Sequence, residues 1–306
     1  MNRISALVLL TRIFFSPSFL NAQTTDSITF PQQKLRIISW NIYMLPRFVK
    51  NTGKLTRAKK IGDQLNIENV DVIVFQEAFH GGARKKIKQR LLQNFPYVIG
   101  PANQSSFSLK ANSGIWIFSK YPVLNHSSIV FKSCYGVDAL SKKGALLVEL
   151  DVNGKLVQVV GTHLQNAGRA ELKELQCKEI FKKLLKPNEK PGIPQVICGD
   201  FNIEKQSKSY RGMLASLNAE DGTLHGPHHY SYDRLTNDLQ TEKGQKRDLI
   251  DYILLRNNNS QCQFISQIIK PFKLQWHKNH QDLSDHYPLV AEILMNNAAN
   301  TASLKE

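Results

Sequence analysis

Ser284-Asp285-His286-Tyr287-Pro288 and Gly199-Asp200-Phe201-Asn202 are the two stretches that decide the fold of this chain. The second stretch follows Gln195-Val196-Ile197-Cys198, an apolar run typical of a buried strand. Each places a carboxylate and a second polar side chain at the edge of an apolar segment, where side chains of several strands can converge on one cleft. A carboxylate that holds a cation and a histidine that titrates near neutral pH are what metal-assisted attack of water on a phosphate ester requires. These stretches therefore predict an enzyme.

The size and composition of the chain predict one globular domain. The chain has 306 residues, of which 42% are hydrophobic and 21% are charged, so it has enough apolar material for a sizeable core. It contains no Gly/Ser-rich or Pro-rich linker, no low-complexity block and no internal repeat. We predict a single catalytic domain over residues 34–295, followed by a polar tail over residues 296–306.

The N-terminus has the features of a secretory signal. Met1-Asn2-Arg3 is a short basic start, an apolar run extends from Ile4 to Leu20, and cleavage is predicted after Ala22. Arg12 interrupts the run, which is too short and broken to span a bilayer. We therefore predict a signal peptide over residues 1–22 and a secreted protein, with a disordered or anchored N-terminus as the alternative.

The formal net charge of +15 leaves the partner of the protein open. Such a charge indicates either an ordinary solvated basic surface or attraction to a polyanion, which would be nucleic acid or an acidic membrane face. The lysines are spread along the whole chain. Because the spread favours a general field over one specific patch, charge alone does not choose the substrate.

The four cysteines do not predict a metal site. No pair among them has the close spacing of a zinc-binding motif, and they stand at Cys134, Cys177, Cys198 and Cys262. Cys198 lies within a buried-strand pattern, so we interpret it as a small core residue. Export would permit disulfides, and four cysteines allow three pairings.

Apolar periodicity predicts a mixture of helices and strands. The helical spacing of Leu55, Ala58, Ile61 and Leu65 predicts a helix over residues 54–66, and Asn153-Gly154 between two apolar runs predicts a tight hairpin. Further helices are predicted over residues 83–95 and 170–185, and strands over residues 34–42, 70–75, 114–119, 145–151, 155–161, 194–198, 249–255 and 287–294. This mixture predicts an α+β protein whose sheets are covered by helices.

Side chains capable of chemistry recur where the predicted strands end. They are Asn41, Glu77, His163, Asp200, Asn202 and Asp251, with Asp285-His286 just before the last strand. Glu77 is the predicted ligand of a cation, and Asn41 and Asp285 could add further oxygens, because hard oxygen ligands suit Mg²⁺. A helix cap or an ion pair with a lysine is the alternative for Glu77.

The two histidines at strand ends have different predicted roles. His286 is the predicted general base, and Asp251 is the candidate that fixes its tautomer. His163 is the predicted donor to a phosphate oxygen as charge builds in the transition state. A histidine bonded only to the backbone is the alternative for His163.

The chain carries, in order, Trp40-Asn41, Gln76-Glu77-Ala78-Phe79, Gly161-Thr162-His163-Leu164-Gln165, Gly199-Asp200-Phe201-Asn202, Asp251-Tyr252-Ile253 and Ser284-Asp285-His286-Tyr287-Pro288. This ordered set resembles the endonuclease/exonuclease/phosphatase family, whose members have the deoxyribonuclease-like fold. The motifs span roughly residues 34–294, which is nearly the whole chain after the signal peptide. The resemblance implies a four-layer α/β/β/α sandwich of two packed mixed β-sheets flanked by helices, with the site at one edge.

The resemblance also implies a role for each matching residue. Glu77 would be the principal Mg²⁺ ligand, assisted by Asn41 and Asp285, with Mn²⁺ or Co²⁺ as alternative cations. His286 would be the base and Asp251 would orient it. Asp200 and Asn202 would position the nucleophile or leaving group and steady the phosphoryl oxygens, and His163 would be the second histidine that faces the phosphate.

Within that family the chain resembles the secreted bacterial sphingomyelinase C branch. The features that carry this resemblance are Glu77-Ala78-Phe79, Asp138-Ala139-Leu140-Ser141-Lys142-Lys143-Gly144, Gln165, and His229-Tyr230-Ser231-Tyr232-Asp233 with Asn237. Asp138 would then be a further site residue that supports the catalytic water or a histidine, with a plain turn residue as the alternative. The branch implies hydrolysis of sphingomyelin to ceramide and phosphocholine.

The resemblance leaves two alternatives and one departure. A secreted metal-dependent nuclease of the same fold, acting on nucleic acid, is the rival enzyme, and an inactive lipid-binding module is the third reading. Members of the branch that lyse membranes carry an aromatic hairpin before Ser284, whereas residues 271–278 here hold Phe272 and Trp276 without an adjacent aromatic pair. We expect a monomer that contacts the membrane surface peripherally through basic residues. The pattern of residues 271–278 predicts neither a hairpin nor its absence.

Overall fold

Two mixed β-sheets packed face to face form the centre of the molecule. The computed structural model describes residues 33–46, 52–104, 110–166, 170–240, 244–258 and 262–295, and these lie in one compact unit. The predicted signal peptide over residues 1–22 and the predicted tail over residues 296–306 lie outside the described residues, so both stay predictions.

Strands and helices follow one another along the described chain. The strands are β1 (Gln33–Met44), β2 (Val72–Ala78), β3 (Tyr97–Ile99), β4 (Trp116–Ser119), β5 (Val123–Val130), β6 (Gly144–Val152), β7 (Lys155–His163), β8 (Gln195–Asp200), β9 (Glu220–Asp221), β10 (Leu224–His225), β11 (Tyr232–Asp233), β12 (Arg247–Asp248), β13 (Asp251–Arg256), β14 (Gln263–Ile269), β15 (Lys273–His277), β16 (His280–Asp282) and β17 (Leu289–Met295). The helices are α1 (Lys54–Ile67), α2 (Gly81–Leu91), α3 (Ala170–Ile180), α4 (Lys186–Asn188) and α5 (Lys208–Leu217), with a 3-10 turn at Gly136–Leu140.

The two large sheets each combine parallel and antiparallel neighbours. The seven-stranded sheet has the order β10-β14-β17-β1-β2-β4-β3, and the six-stranded sheet has the order β5-β6-β7-β8-β13-β9. β1 runs parallel to β2 and β7 runs parallel to β8, whereas β17 is antiparallel to β1 and β13 is antiparallel to β8. Both sheets are therefore mixed.

Three apolar layers hold the sheets and helices together. The inner core lies between the sheets and includes Ile37, Val74, Val148 and Val196. A second core joins the seven-stranded sheet to α1 and α2 and includes Trp40, Phe75, Ile61 and Ile87. A third joins the six-stranded sheet to α3 and α5 and includes Val160, Tyr252, Cys177 and Met213. Because both faces of each sheet are buried, its strands read as nearly continuous apolar runs. The predicted four-layer α/β/β/α sandwich is confirmed.

The structure refines several predicted elements. The Asn153-Gly154 hairpin joins β6 to β7 as predicted, and both turn residues have positive φ, 55° and 86°, as a tight turn of this kind requires. Within the helix predicted over residues 170–185, the α-helical part ends at Ile180, and residues Phe181–Leu185 form a π-helical turn. Cys134, Cys177 and Cys198 are free thiols, and Cys198 is buried as expected.

A short hairpin that the sequence did not predict precedes Ser284. β15 and β16 pair antiparallel around a tip at residues 278–279. Phe272 is buried, and the Trp276 ring stacks on His280 with ring centroids 5.2 Å apart. The segment before Ser284 therefore forms a hairpin, which the sequence pattern left undecided, and its Trp276 packs on His280. No helix in the described ranges combines the length and the apolar character needed to cross a bilayer.

Strand register brings the ends of both sheets to one edge of the molecule. In the six-stranded sheet, Asp200 is paired with His163 on one side and with Asp251 on the other. In the seven-stranded sheet, Asn41 near the end of β1 is paired with Gln76, next to Glu77. The polar residues that the sequence placed at strand ends consequently line a common edge.

Candidate active site

His286 is held between two aspartates of the six-stranded sheet. Its Nδ1 lies 2.8 Å from Oδ2 of Asp251, and its Nε2 lies 3.7 Å from Oδ2 of Asp200. The indole N–H of Trp40 donates to the His286 carbonyl at 2.9 Å, which fixes the backbone. Because a carboxylate can only accept, Nδ1 donates to Asp251, and Nε2 is the nitrogen that faces the cleft.

The charges around His286 favour its protonated form. Burial alone would lower the pKa of the imidazole, but the carboxylates of Asp251, Asp200 and Asp285 outweigh burial, so the pKa lies well above its ordinary value. The ring of Tyr232 packs against the imidazole, with ring centroids 5.0 Å apart. The imidazole of His286 is therefore held in place by Asp251 and by the ring of Tyr232, and it binds a proton tightly.

Asp200 is the centre of the polar network. Its Oδ1 accepts the backbone N–H of Asn202 at 2.9 Å, and its Oδ2 accepts Nδ2 of Asn41 at 3.1 Å. The same Oδ2 lies 3.5 Å from Nε2 of His163. Asn202 has a φ of 53°, a left-handed conformation that asparagine tolerates better than most residues. One carboxylate thus connects two histidines and two asparagines.

His163 is a neutral side chain with spare hydrogen-bonding capacity. Burial, reinforced by the positive charge of Lys143, lowers its pKa to about 3. Its Nδ1 is buried and has no hydrogen-bond partner. A neutral imidazole with Nε2 at the cleft can donate a proton in a hydrogen bond without titrating, and this suits contact with a phosphate oxygen.

Glu77 is strained and incompletely bonded. Its φ is 57°, in a region that costs about 1–3 kcal/mol for a residue other than glycine and that clusters at functional sites. Its Oε1 accepts Nδ2 of Asn41 at 3.1 Å, whereas its buried Oε2 has no hydrogen-bond partner. Burial, together with the charge of Asp285, raises its pKa to about 7. Glu77 caps no helix, because His80 fills that position for α2.

These observations fit a divalent cation at Glu77. Two neighbouring carboxylates, each with its pKa raised first by burial, make a site where positive charge is favoured. Oxygen ligands of this kind suit Mg²⁺. The amide nitrogen of Asn41 faces Glu77, and its amide oxygen does not. Asn41 would therefore serve as an oxygen ligand only if its side-chain amide flipped.

A second group of candidate ligands surrounds His286. Atoms of Asp200, Asp251 and His286 all fall within 4.8 Å of one another. The His286–Asp251 hydrogen bond already occupies one ligand position in this group. Both groups hold a buried carboxylate oxygen without a hydrogen-bond partner, Oε2 of Glu77 and Oδ1 of Asp251. The raised pKa values of the neighbouring Glu77 and Asp285 carboxylates favour the Glu77 side for a cation.

The predicted site residues form one connected cleft, with one exception. Asn41 bonds both Glu77 and Asp200, and Asp200 approaches His286, so the two sheets share the site. Asp138 lies at its margin instead. Its Oδ1 is 2.9 Å from Nζ of Lys143, and its Oδ2 accepts the backbone N–H of Asn166 at 2.8 Å.

Sequence reasoning did not single out Lys143 as a site residue. Its side chain is buried, and its ammonium donates to the Leu164 carbonyl at 2.7 Å as well as pairing with Asp138. It thus holds the chain directly after His163 and depresses the pKa of that histidine. A lysine next to the first residue of an apolar strand gives little signal of such burial.

Arg57 is a second residue that the sequence did not reveal. It is completely buried, and its guanidinium donates to the carbonyls of Ile42 (3.0 Å), Leu283 (2.7 Å) and Tyr43 (2.7 Å). It thereby ties the end of β1 to the segment that carries Asp285. Burial lowers its pKa to about 10, so it stays charged at neutral pH.

Replacing Arg57 with methionine is expected to destabilise the protein by about 3 kcal/mol or more, because several buried carbonyls lose their donor at once. Urea unfolding would measure the loss. Arg90→Met is the matched control, since Arg90 makes a surface ion pair with Asp63 and should cost about 1 kcal/mol or less. Equal effects of the two substitutions would contradict the role given to Arg57.

The comparisons with known proteins agree with this geometry. The model of the endonuclease/exonuclease/phosphatase family matches residues 38–286. A phospholipase C of Staphylococcus aureus is 31% identical over 84% of this chain and 86% of its own length, and a sphingomyelinase C of Bacillus cereus is 28% identical over 88% and 92%. A solved structure of a mutant beta toxin from Staphylococcus aureus, with bound magnesium ions, superposes with a TM-score of 0.76 at 29% identity, covering 85% of this chain and 99% of that one.

This chain belongs to the endonuclease/exonuclease/phosphatase family. The predicted resemblance to that family and to its bacterial sphingomyelinase branch is confirmed, and so is the prediction of a phosphodiesterase.

Proposed function

We propose that this protein is a secreted, Mg²⁺-dependent phosphodiesterase that hydrolyses sphingomyelin to ceramide and phosphocholine. The observation that carries the proposal is the imidazole of His286, oriented by Asp251 at 2.8 Å in the same cleft as the partly unbonded carboxylate of Glu77. The relatives named phospholipase C and sphingomyelinase C support the substrate, and the beta toxin with bound magnesium ions supports the cation.

Each residue of the cleft has its own role in the proposed hydrolysis. Nε2 of His286 accepts a proton from the attacking water, and Asp251 stabilises the imidazolium that results. His163 donates to a phosphoryl oxygen, and Asp200 and Asn202 position the reacting groups. Glu77, with Asp285 and Asn41, would hold Mg²⁺, which supplies charge stabilisation to the phosphate oxygens when bound.

The charge balance of the cleft couples cation binding to the proton affinity of His286. The carboxylate of Asp285 is among the groups that raise the pKa of His286. A cation held by Glu77 and Asp285 would offset that charge and shift the pKa of His286 downward, toward the form whose Nε2 accepts a proton.

A nuclease of the same fold is the second candidate function. The formal net charge of +15 favours it, because a polyanionic substrate gains more from such a field than a zwitterionic lipid does. The curated relatives carry the names of lipid-cleaving enzymes, and this favours the first candidate.

A pair of parallel assays separates the two candidates. Release of phosphocholine from sphingomyelin is expected to cease with a chelator and to return with added Mg²⁺, while a supercoiled plasmid under the same conditions stays intact. Efficient nicking of the plasmid without phosphocholine release would overturn the proposed substrate. Full activity in chelator would overturn the metal dependence.

Binding of Mg²⁺ is expected to release a proton near neutral pH, because the pKa of Glu77 is about 7 and only its ionised form binds a cation. The affinity should therefore fall by up to about tenfold for each pH unit below 7. Calorimetry in two buffers that differ in ionisation enthalpy measures the proton. Affinity that is constant between about pH 5 and pH 7 would contradict Glu77 as the ligand.

A further inference from the structure

Exposed apolar side chains concentrate on one turn beside the catalytic cleft. Tyr135, Val137 and Leu140 are 66%, 77% and 68% exposed, respectively. Among the large apolar side chains of the described ranges, only Ile67, at 78%, is as exposed as these three. All three lie in or directly before the 3-10 turn Gly136–Leu140. Such clustering marks a surface that another apolar phase covers.

The geometry of the turn points these side chains outward together. A 3-10 helix has three residues per turn, so Val137 and Leu140 lie on the same face. Between them, Asp138 is buried and points the other way, toward Lys143 and the chain after His163. The turn therefore has a polar side directed at the active site and an apolar side directed at solvent.

A basic cleft adjoins the apolar face. The cleft has a volume of about 270 Å³ and is lined by Lys110, Lys132, Lys142, Lys143, Val130 and Tyr135. Among the described residues that line it, none is acidic. Lys143 is paired with Asp138, and Lys132 and Lys142 add positive charge to the cleft. Apolar side chains rimmed by lysines match the boundary between acyl chains and phosphate headgroups.

The turn is fixed rigidly to the active site. Tyr135 and Gln165 exchange two hydrogen bonds of 3.0 Å, from the Tyr135 N–H to Oε1 and from Nε2 to the Tyr135 carbonyl. Asn166 donates its backbone N–H to Asp138 at 2.8 Å. Gln165 and Asn166 closely follow His163, so whatever the turn contacts is held in a set orientation to the catalytic cleft.

The hairpin β15–β16 does not offer a comparable apolar surface. Its tip carries Lys278 and Asn279, flanked by His277 and His280. The Trp276 indole N–H donates to the Asp282 carbonyl at 2.8 Å, which turns the ring inward.

We propose that the turn Tyr135–Leu140, together with Lys132 and Lys142, is the surface by which this protein docks on a lipid bilayer. The apolar side chains enter the acyl boundary, and the lysines contact headgroup phosphates. Docking presents the cleft of His163 and His286 to lipid in the membrane. The inference rests on the proposed function for its choice of a membrane, but membrane binding is measured without turnover.

The test compares two double variants of the full chain. Val137→Ser/Leu140→Ser alters the turn, and Ile67→Ser/Leu124→Ser is the matched control, because Ile67 and Leu124 are similarly exposed and lie at strand and helix ends remote from the cleft. Binding to vesicles of phosphatidylcholine and sphingomyelin, with and without phosphatidylserine, is measured by co-sedimentation in chelator. Thermal melting confirms that each variant is folded.

The turn variant is expected to bind vesicles about tenfold or more weakly than the control variant. Lys132→Gln/Lys142→Gln is expected to weaken binding to phosphatidylserine vesicles by about fivefold per lysine and to reduce the dependence on salt. Hydrolysis of a monomeric short-chain sphingomyelin should be unchanged in both, whereas hydrolysis in vesicles should fall with binding.

The outcomes separate the docking surface from the proposed function. If the wild-type protein binds vesicles and the turn variant does not, the docking surface stands, even if no sphingomyelin is cleaved and the proposed function fails. If sphingomyelin is cleaved but the turn variant binds vesicles as well as the control, the docking surface is overturned. Absence of vesicle binding by the wild type, or equal losses in both double variants, overturns it as well.

Discussion

Replacing His286 with alanine is expected to lower the rate of phosphodiester hydrolysis by about a thousandfold, within the range that a positioned general base supplies. The substitution removes the one imidazole that Asp251 orients toward the cleft at 2.8 Å. His163 cannot take over, because burial and Lys143 hold its pKa near 3. Turnover at saturating substrate and Mg²⁺ is the measurement.

A folding control shows whether the loss of turnover in His286→Ala arises from the chemical step or from unfolding. Asp251 loses its partner in the variant, so some loss of stability is expected, and circular dichroism on heating would show that the protein is folded at the assay temperature. His126→Ala is the matched control, because His126 is an exposed histidine on β5 and should keep wild-type activity. Turnover of His286→Ala within about tenfold of the wild type would remove His286 as the base.

Replacing Glu77 with glutamine is expected to abolish Mg²⁺-dependent activity and yet to stabilise the metal-free protein. The side chain keeps its shape but loses the charge that binds the cation, and a cation of this kind contributes several kcal/mol of transition-state stabilisation. Turnover should fall by about a thousandfold, and added Mg²⁺ should no longer raise the melting temperature.

The gain in stability follows from the pKa of Glu77. Its value of about 7 in the folded protein exceeds the ordinary 4.5, so the metal-free folded state holds the proton more tightly than the unfolded chain does. The stability that this proton provides is present below pH 4.5 and is lost as the pH rises to about 7. Because glutamine cannot ionise, the Glu77→Gln variant does not lose this stability as the pH rises.

Melting curves in chelator at two pH values test this expectation. Glu77→Gln should melt higher than the wild type above pH 7, by a few degrees, since about 1 kcal/mol moves the melting temperature by about 2–4 °C in a domain of this size. The difference should vanish below about pH 4.5. A metal-free variant that melts lower than the wild type at neutral pH would show that Glu77 is a structural residue.

The sequence predicted the layers of the fold because buried strands and amphipathic helices leave local patterns. It also predicted polar residues at the strand ends. The register of the paired strands then brings those ends together at one edge. Asp200 and Asp251 are adjacent in the sheet although they are far apart in the chain. This pairing follows once β8 and β13 are adjacent in the sheet. No local sequence pattern predicts that these two strands are adjacent.

Local patterns failed where tertiary contacts override them. Leu55 fits the helical spacing of α1 but is 45% exposed, whereas Arg57 is fully buried on the apolar side. Its burial is tolerable only because carbonyls of β1 and of Leu283 accept its protons. Those carbonyls come from segments that the helix sequence cannot specify, and the same holds for Lys143 and its partner Asp138.

The position of the cation is the claim that connects the fold to the chemistry. Crystals soaked in Mn²⁺ would show it directly through anomalous scattering. We predict a peak bonded to the carboxylate of Glu77, in the cleft that His286 lines, and no such peak in Glu77→Gln. A peak instead among Asp200, Asp251 and His286, with Glu77 left unbound, would contradict the account.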